Sequence, residues 1–326
     1  MNKNPFTPEV IKLQNIEQIV SVIVLNLKQD VHSVLNRTGG VIGISGGIDS
    51  SVTLALAVKA LGTDKVLGIM LPEKDSSPES LELARKLTNK FGIQAIIEDI
   101  TDALAGFGCY ERRDKAVNRI FPEYNPSTFK MKIGIKDSGL YSNLPPIFTI
   151  TIIDENGNEK SKRLPASEFR QIVAASNFKQ RCRMAMLYYH AEKLHYAVIG
   201  TPNKHEVVQG FFVKYGDGGA DVMPIAHLYK TQVFQLAEYL GIPQEIINRT
   251  PTTDTYTAEQ TQQEFFYQFP FEELDLLWYA FENKYPCEEV GEVLKKSPEE
   301  IKSIFLNFER KIHTTEYLRK APIRYL

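Results

Sequence analysis

The sequence predicts an α/β fold: a doubly wound parallel sheet flanked by helices, with an inserted β-hairpin segment and a helical C-terminal part. Short apolar runs alternate with longer amphipathic stretches up to residue 97, which is the pattern of βαβ units. The alternation stops between about 102 and 167 and then resumes. This segment is therefore interpreted as an insertion in a single domain that spans residues 1–326.

The first part of the chain contains three predicted strands separated by helices. Apolar residues between Ile16 and Leu35 recur at steps of three and four, which predicts an amphipathic helix. Thr7 before Pro8 is its predicted start, because proline at the first helical position removes no needed hydrogen bond. The elements that follow are strands at 41–44, 66–71 and 94–97, with helices at 50–61 and 78–91.

The insertion has its own pattern. Threonine and isoleucine alternate over 147–153, and Asn156 with Gly157 forms a turn into a returning arm at 160–164, which predicts a β-hairpin. The remaining predicted elements are a helix at 167–194, a strand at 196–199, a helix at 230–240 and a mainly helical region at 244–326.

Composition and charge exclude several classes of protein. The chain is 43% hydrophobic and 24% charged, which is typical of a folded domain, and its net charge of −2 argues against a broad nucleic-acid-binding surface. No apolar run approaches the roughly 18 residues of a membrane span, and no secretory signal is visible. Cys109, Cys182 and Cys287 are widely separated and indicate neither a disulfide framework nor a zinc site. We therefore expect a cytoplasmic protein with no nucleic-acid and no membrane partner.

The most informative motif follows the first predicted strand and consists of Gly43, Ile44, Ser45, Gly46, Gly47, Ile48, Asp49 and Ser50. Its glycines let successive backbone N–H groups point at an anion, and the helix N-terminus adds a favourable dipole. The lysine of a Walker A motif and the spacing of a dinucleotide fingerprint are both missing. Asp49 would repel a bare phosphate, so this carboxylate implies a magnesium ion between them. The alternative is a tight strand-to-helix turn that binds no ligand.

The stretch SGGIDSS, which begins at Ser45, resembles the pyrophosphate-binding loop of the N-type ATP pyrophosphatases, whose fold is of the adenine nucleotide alpha hydrolase type. Three later stretches, NFKQRCRM (177–184), VIGTPNKHE (198–206) and GFFVKYGDGGADVMPIAHLYKTQV (210–233), resemble the NAD synthetase family in order and spacing. The resemblance covers about 38–101 and 168–256 well. It implies that deamido-NAD, ATP and ammonia are converted into NAD, AMP and pyrophosphate through an adenylate.

The resemblance also implies roles for individual residues, each taken from the family position that it matches. Besides the loop at 43–50, the residues that match ATP-binding positions are Thr201, Lys230 and Thr252. Asp49 and Glu206 match ligands of Mg2+. The residues that match positions holding deamido-NAD are Arg181, Lys214 and Asp221. The residues matched to catalysis are Asp217, placed near the incoming ammonia, Lys230, placed against the phosphates, and Lys214.

Each of these side chains has an alternative interpretation without chemistry. Glu206 would be a solvated carboxylate at a helix start, Lys230 an exposed residue of an amphipathic helix, and Arg181 a surface residue. Asp217 and Gly218 would be a simple turn pair. The neighbouring glycines at 216, 218 and 219 are expected to leave a ligand free access to Asp217.

The chain departs from the family pattern in two places. The insertion is longer than in compact family members, and the stretch from His313 to Lys320 lacks the His-Lys pair that closes over the nucleotide. Tyr317 and Arg319 are the candidates for that closing role.

Free ammonia is the expected nitrogen donor. The pyrophosphatase pattern begins within the first 40 residues, which leaves no room upstream for a glutaminase domain, and no cysteine lies in a nucleophile-elbow context. The family further implies a homodimer, with deamido-NAD at the subunit interface near the helix at 167–194.

Two other functions compete with this interpretation. A GMP-synthetase-like enzyme would share the phosphate loop, but the GDGGAD stretch at 216–221 argues against it. A nucleotide-binding regulator without turnover would need no cation for a leaving group. Lys214 and Lys230 accompany Asp49 and Glu206 here, which favours an enzyme.

Overall fold

The computed structural model describes residues 5–136, 147–252, 256–258 and 260–325, and it contains a parallel sheet and a smaller antiparallel sheet. The strands are β1 (Gly40–Gly43), β2 (Val66–Met70), β3 (Gln94–Ile97), β4 (Lys130–Lys136), β5 (Ile147–Ile153), β6 (Glu159–Arg163) and β7 (Ala197–Val198). The parallel sheet has the order β3–β2–β1–β7. The chain thus runs outward from β1 in one direction and later returns to its other side, which is a doubly wound arrangement. The predicted fold class is confirmed.

Twelve α-helices surround the two sheets in the described part of the chain. They are α1 (Ile16–Gln29), α2 (Ile48–Leu61), α3 (Pro78–Phe91), α4 (Thr101–Gly106), α5 (Cys109–Ile120), α6 (Ala166–Leu194), α7 (Lys204–Gln209), α8 (Lys230–Leu240), α9 (Gln244–Ile247), α10 (Phe271–Glu282), α11 (Cys287–Leu294) and α12 (Pro298–Arg319). The predicted helices at 50–61, 78–91, 167–194 and 230–240 are confirmed to within two residues at each end.

Helices cover both faces of the parallel sheet. Successive side chains of a strand point to opposite faces, so neighbouring residues of β1 pack into different cores. Ile42 of β1 belongs to a core shared with α1, α2 and α8. Its neighbour Val41 belongs to a second core that includes Leu187 of α6. The carboxyl ends of β1, β2 and β7 are left at one edge of the sheet, between these two layers of helices.

The first helix begins later than predicted. Pro8–Ile11 is a separate 3₁₀ turn, and α1 starts only after Asn15, whose side chain accepts a hydrogen bond from the backbone N–H of Gln18 (3.1 Å). By length and composition the helical segment Pro8–Val34, with mean hydropathy 1.3, could cross a membrane. In the fold, α1 packs against α2 and α8.

The insertion is more regular than the sequence predicted. The hairpin is confirmed as β5 and β6, but β4 adds a third antiparallel strand, with Ile133 opposite Ile150. The helix α5 also lies within it and was not predicted. Buried apolar side chains from β4, β5 and α5 form one small core, which closes against the start of α6. The insertion therefore packs on the long helix that crosses behind the parallel sheet.

The C-terminal part is helical, as predicted. Its aromatic core contains Trp278 of α10 and Phe308 of α12, whose ring centroids lie 4.7 Å apart. A π-helical turn, Gln263–Tyr267, connects this core to β4 of the antiparallel sheet. The aromatic residues of 265–281 are thus largely core, and they place α12 beside α7.

Candidate active site

A cavity of about 640 Å³ opens at the carboxyl ends of β1, β2 and β7. In open α/β sheets, ligands bind at this edge, where the strand order reverses direction. Thr201 and Thr252 both line the cavity, together with Glu206 and Asp217. The structure therefore brings these four predicted site residues and the loop after β1 to one place.

The loop at 43–50 has the geometry of an anion-binding turn. Seven of its eight residues line the cavity, and Gly46 instead faces Ser80. Gly46 has φ +75°, and a Cβ atom there would lie 2.4 Å from the Ser80 carbonyl oxygen, so both conformation and space require glycine. Gly47 precedes α2 and has no side chain to cap the helix. The N-terminus of α2 therefore points its backbone N–H groups toward the cavity.

Asp49, Asn203, Glu206 and Lys230 form one hydrogen-bonded cluster. The Asp49 carboxylate accepts hydrogen bonds from the Lys230 ammonium and from Asn203 Nδ2, the latter at 3.2 Å. Asn203 also forms a capping box with Glu206 at the start of α7, since its backbone N–H donates to Glu206 Oε2 at 2.9 Å. Lys230 is fully buried, so the prediction of an exposed helix residue as its alternative is wrong.

Asn203 is a site residue that the sequence interpretation did not single out. The signal was present, because Asn followed three residues later by Glu is the spacing of a capping box. In the fold this ordinary cap has a second function. It orients Glu206 with its backbone and Asp49 with its side chain, and so fixes the two carboxylates relative to each other.

The electrostatics of this cluster fit a divalent cation. Burial raises the pKa of Glu206, and the nearby Asp49 charge raises it further, while Lys230 acts in the opposite direction. The Tyr267 hydroxyl is buried beside the same carboxylates and, within the described residues, has no hydrogen-bond partner. Two carboxylates that repel each other, with phosphate oxygens from a ligand, form the oxygen donor set that magnesium prefers.

A buried chain of polar groups holds the helices that carry this cluster. Asp275 of α10 accepts from His205 Nε2 at 2.5 Å and from the Thr231 backbone N–H at 2.8 Å. His205 precedes Glu206 on α7, and Thr231 follows Lys230 on α8. One carboxylate of the C-terminal core thus fixes the two helix starts that carry Glu206 and Lys230.

Asp217 lies at another part of the cavity wall, at the start of a 3₁₀ turn. Its carboxylate accepts a hydrogen bond from the Val213 backbone N–H at 2.7 Å. Burial raises the pKa of Asp217 to about 6, although backbone hydrogen bonds and the charge of Arg183 oppose the rise. At neutral pH the group is therefore mainly a carboxylate, with a pKa suited to accepting a proton.

Two of the three glycines beside Asp217, Gly216 and Gly218, do not provide the open access that the sequence interpretation expected, whereas a Cβ atom on Gly219 would meet only Met184 Cγ at 3.7 Å. A Cβ atom on Gly218 would lie 2.2 Å from the Phe212 ring, and one on Gly216 would lie 2.8 Å from Gln180 Cβ. These glycines allow close packing around the turn. Asp217 lies in the cavity wall, on the turn that packs against α6.

Arg181, Lys214 and Asp221 lie apart from the described cavity lining. The Lys214 ammonium donates to the backbone oxygens of Tyr317 (2.9 Å) and Lys320 (2.8 Å), at the end of α12. Arg181 Nε donates to the Lys214 backbone oxygen at 3.2 Å. Asp221 accepts from the Tyr188 hydroxyl and from the Val198 backbone N–H, both at 2.8 Å.

The C-terminal candidates Tyr317 and Arg319 are not among the described cavity-lining residues. Tyr317 is 64% exposed, and Arg319 donates to the backbone oxygens of Val207 and Ile312, which ties α12 to α7. The α12 residues that do line the cavity are Lys311, Thr314 and Thr315. Thr314 and Thr315 lie within the stretch His313–Lys320 that the family pattern indicated, and Lys311 lies two residues before it.

The insertion also contributes to the site. Its Tyr110 donates to Glu73 Oε2 at 2.8 Å, and its Arg113 pairs with Asp75. Lys179 of α6 completes the network, lying 2.9 Å from Glu73 Oε1 and 2.8 Å from Asp75 Oδ2. Burial opposes ionisation of Asp75, but the charges of Lys179 and Arg113 hold its pKa below the usual value. The insertion thus fixes the loop after β2, which forms one wall of the cavity.

Comparison with known proteins agrees with this geometry. The family model described as NAD synthase matches residues 19–144 and 147–322. An NH(3)-dependent NAD(+) synthetase of Rhizobium meliloti (strain 1021) is 43% identical over 321 residues, which cover 98% of this chain and 95% of that protein.

Two solved structures share the fold at lower identity. The NH3-dependent NAD synthetase from Campylobacter jejuni aligns with TM-score 0.63 and 20% identity, covering 96% of this chain and 100% of that one. The NMN synthetase from Francisella tularensis aligns with TM-score 0.63 and 22% identity, covering 95% and 98%. With the phosphate loop, the carboxylate pair and Lys230 assembled at one sheet edge, and with a match along nearly its whole length, the chain belongs to the NAD synthase family.

Proposed function

We propose that this protein is a ligase that converts deamido-NAD to NAD with ATP and ammonia, through a deamido-NAD adenylate, and releases AMP and pyrophosphate. The observation that carries the proposal is that the 43–50 loop, the Asp49–Glu206 pair and Asp217 line the same cavity. The 43% identical relative, which is an NH(3)-dependent NAD(+) synthetase, supports the same activity.

Asp49 and Glu206 are the residues that would hold magnesium. A magnesium ion held there with ATP would neutralise phosphate charge that the two carboxylates would otherwise repel. Lys230 places a fixed cation on Asp49 and offsets negative charge that develops as pyrophosphate leaves. The loop N–H groups and the α2 N-terminus bind the departing phosphates, and Thr201 and Thr252 contact ATP from the cavity wall.

The first half-reaction forms a bond between a carboxylate oxygen of deamido-NAD and the α-phosphorus of ATP, and breaks the bond to the β-phosphate oxygen. In the second, ammonia attacks the activated carbonyl carbon and the carbon–oxygen bond to AMP breaks. Ammonium predominates at neutral pH and has no lone pair, so it must lose a proton close to that carbon. Asp217 attracts the cation and accepts the proton, in keeping with its raised pKa of about 6.

Arg181, Lys214 and Asp221 are proposed to hold deamido-NAD on the outer side of α6, with Lys214 also acting in catalysis. Tyr189 and Tyr215 leave 55% and 62% of their surface exposed on this side, which supports a second subunit there. The active form is then a cytoplasmic homodimer related by two-fold symmetry. Light scattering at micromolar concentration tests this, and a fully active monomer would contradict it.

Product analysis with the purified protein tests the activity. Deamido-NAD, ATP, magnesium and ammonium should give NAD, AMP and pyrophosphate in equal amounts, and glutamine without ammonium should give little NAD. Formation of ADP and phosphate would exclude the proposal, as would amidation of a GMP precursor in place of deamido-NAD. Nicotinic acid mononucleotide belongs in the same assay, because one structural neighbour is an NMN synthetase. A faster reaction with the mononucleotide would replace the proposed substrate.

A further inference from the structure

Four cationic side chains line the described part of the cavity, and one of them differs from the rest. Lys179 pairs with two carboxylates, and Arg249 lies 3.6 Å from the carboxylate of Glu79. Arg183 donates to the Leu71 backbone oxygen and forms no ion pair within the described residues, but its charge helps to lower the pKa of Asp217. Lys311 of α12 forms no ion pair with any carboxylate of the described residues. It is the cavity cation whose charge the described protein leaves uncompensated.

Neutral groups hold the Lys311 ammonium in place. Its Nζ donates to the Phe266 backbone oxygen at 3.2 Å and to Gln209 Oε1 at 3.4 Å, and it lies 4.5 Å from the centre of the Phe266 ring. Gln209 is itself fixed, since its Nε2 lies 3.2 Å from His205 Nδ1, and His205 is bonded to Asp275. A buried chain of side chains therefore orients an acceptor toward Lys311.

Lys311 is connected to the helix that carries Glu206, because its hydrogen-bond acceptor Gln209 also lies on α7. Gln209 follows Glu206 by three residues on α7, so the two side chains share a helix face. Thr315, one turn after Lys311, packs against Gly210 and also lines the cavity. Lys311 therefore lies in the part of the cavity wall where α12 packs against α7.

Lys311 is half-buried at the cavity wall. An ammonium group that is partly removed from water without a counter-charge destabilises the folded protein, because neutral acceptors replace only part of its hydration. Burial correspondingly lowers the pKa of Lys311 to about 8. At neutral pH the side chain is still mainly charged. A bound anion would supply the missing compensation.

We propose that Lys311 is a substrate-binding residue that pairs with phosphate oxygens of a nucleotide in the cavity. The proposal rests on the proposed function, which supplies two such ligands: the triphosphate of ATP and the pyrophosphate bridge of deamido-NAD. Lys311 thereby supplies a positive charge to the cavity from α12, whereas Tyr317 and Arg319 are not among the described residues that line it.

The test compares Lys311→Met with Lys311→Arg and with Lys302→Met, which removes an exposed lysine from the same helix. Binding of ATP with magnesium and binding of deamido-NAD are measured separately by calorimetry, without turnover. Lys311→Met should weaken binding of one nucleotide by about tenfold to a hundredfold, and Lys311→Arg by much less. The nucleotide that is affected identifies the phosphate group that Lys311 contacts.

Thermal unfolding separates this role from a structural one. Because an uncompensated charge is removed, the melting temperature of Lys311→Met without nucleotide should equal or exceed that of the wild type. Unchanged affinity for both nucleotides would overturn the proposal, and so would a Lys311→Met variant that melts lower or fails to fold. A wild-type protein that binds ATP but makes no NAD would refute the proposed function and leave this comparison intact.

Discussion

The ammonium group of Lys230 donates directly to the carboxylate of Asp49, although the two residues are 181 positions apart in the sequence. Lys230 has no exposed surface, while the Asp49 side chain keeps 16% of its surface exposed. The pair thus joins the first turn of α8 to the first turn of α2, with the carboxylate as the part that reaches the cavity. The Lys230 ammonium therefore lies on the buried side of the Asp49 carboxylate, away from the cavity.

Replacing Lys230 with Met should therefore affect catalysis more than nucleotide binding. The variant loses the charge that offsets the departing pyrophosphate, and loss of one such contact lowers the rate by about a hundredfold or more. Steady-state rates of pyrophosphate release at saturating ATP and magnesium measure this. The matched control is Lys302→Met, which removes an exposed lysine. Near-full turnover in the Lys230→Met variant would show that its assigned role is wrong.

Gly46→Ala should abolish ATP binding, because a Cβ atom there would lie 2.4 Å from the Ser80 carbonyl oxygen. Gly62→Ala is a matched control at the other end of α2. Gly62 also has a positive φ, +88°, but no atom lies within 4 Å of the added Cβ. Both variants carry backbone strain, and only Gly46→Ala should lose calorimetric ATP binding. Equal binding by the two variants would mean that the loop tolerates the contact with Ser80.

Asp217→Asn should stabilise the protein at alkaline pH. The pKa of this carboxyl rises from its usual 3.8 to about 6 in the fold. Its contribution to stability is therefore full below pH 3.8 and is lost as pH rises through about 6. Asparagine does not titrate, so the variant should exceed the wild type by on the order of 1 to 3 kcal/mol at pH 8 and match it near pH 4. Urea unfolding at both pH values checks the sign.

The same variant should separate the two half-reactions. Adenylation depends on the phosphate loop and its carboxylates, whereas attack by ammonia depends on Asp217. In a single-turnover quench that counts adenylate and NAD separately, Asp217→Asn should still form adenylate and accumulate it. Wild-type NAD formation from the adenylate should rise as pH increases through about 6, and the variant should lack this rise. Equal losses in both steps would assign Asp217 to substrate binding.

The sequence predicted the parallel sheet and the phosphate loop because both depend on local patterns. Short apolar runs and glycine-terminated helices mark β1, α2 and β2 within about 30 residues, and the Asn156–Gly157 turn marks the hairpin. The start of α1 was predicted wrongly at Thr7, because the proline signal belongs to a 3₁₀ turn and the actual cap is Asn15.

The parts that could not be predicted depend on contacts between distant segments. Nothing local to Arg113 or Tyr110 indicates that they hold Glu73 and Asp75, and β4 is recognisable only once it pairs with β5. Lys311 also has no motif around it. Its placement in the cavity follows from the packing of α12 against α7, which brings it to within 3.4 Å of Gln209.

The fate of one oxygen atom tests the proposed adenylate most directly. Deamido-NAD labelled with oxygen-18 in its carboxylate is incubated with ATP, magnesium and ammonium, and the AMP is analysed by mass spectrometry. If the carboxylate attacks the α-phosphorus and ammonia then displaces AMP, each AMP molecule should carry one labelled oxygen and pyrophosphate should carry none. Unlabelled AMP, or label found in inorganic phosphate, would contradict the proposed chemistry of this cavity.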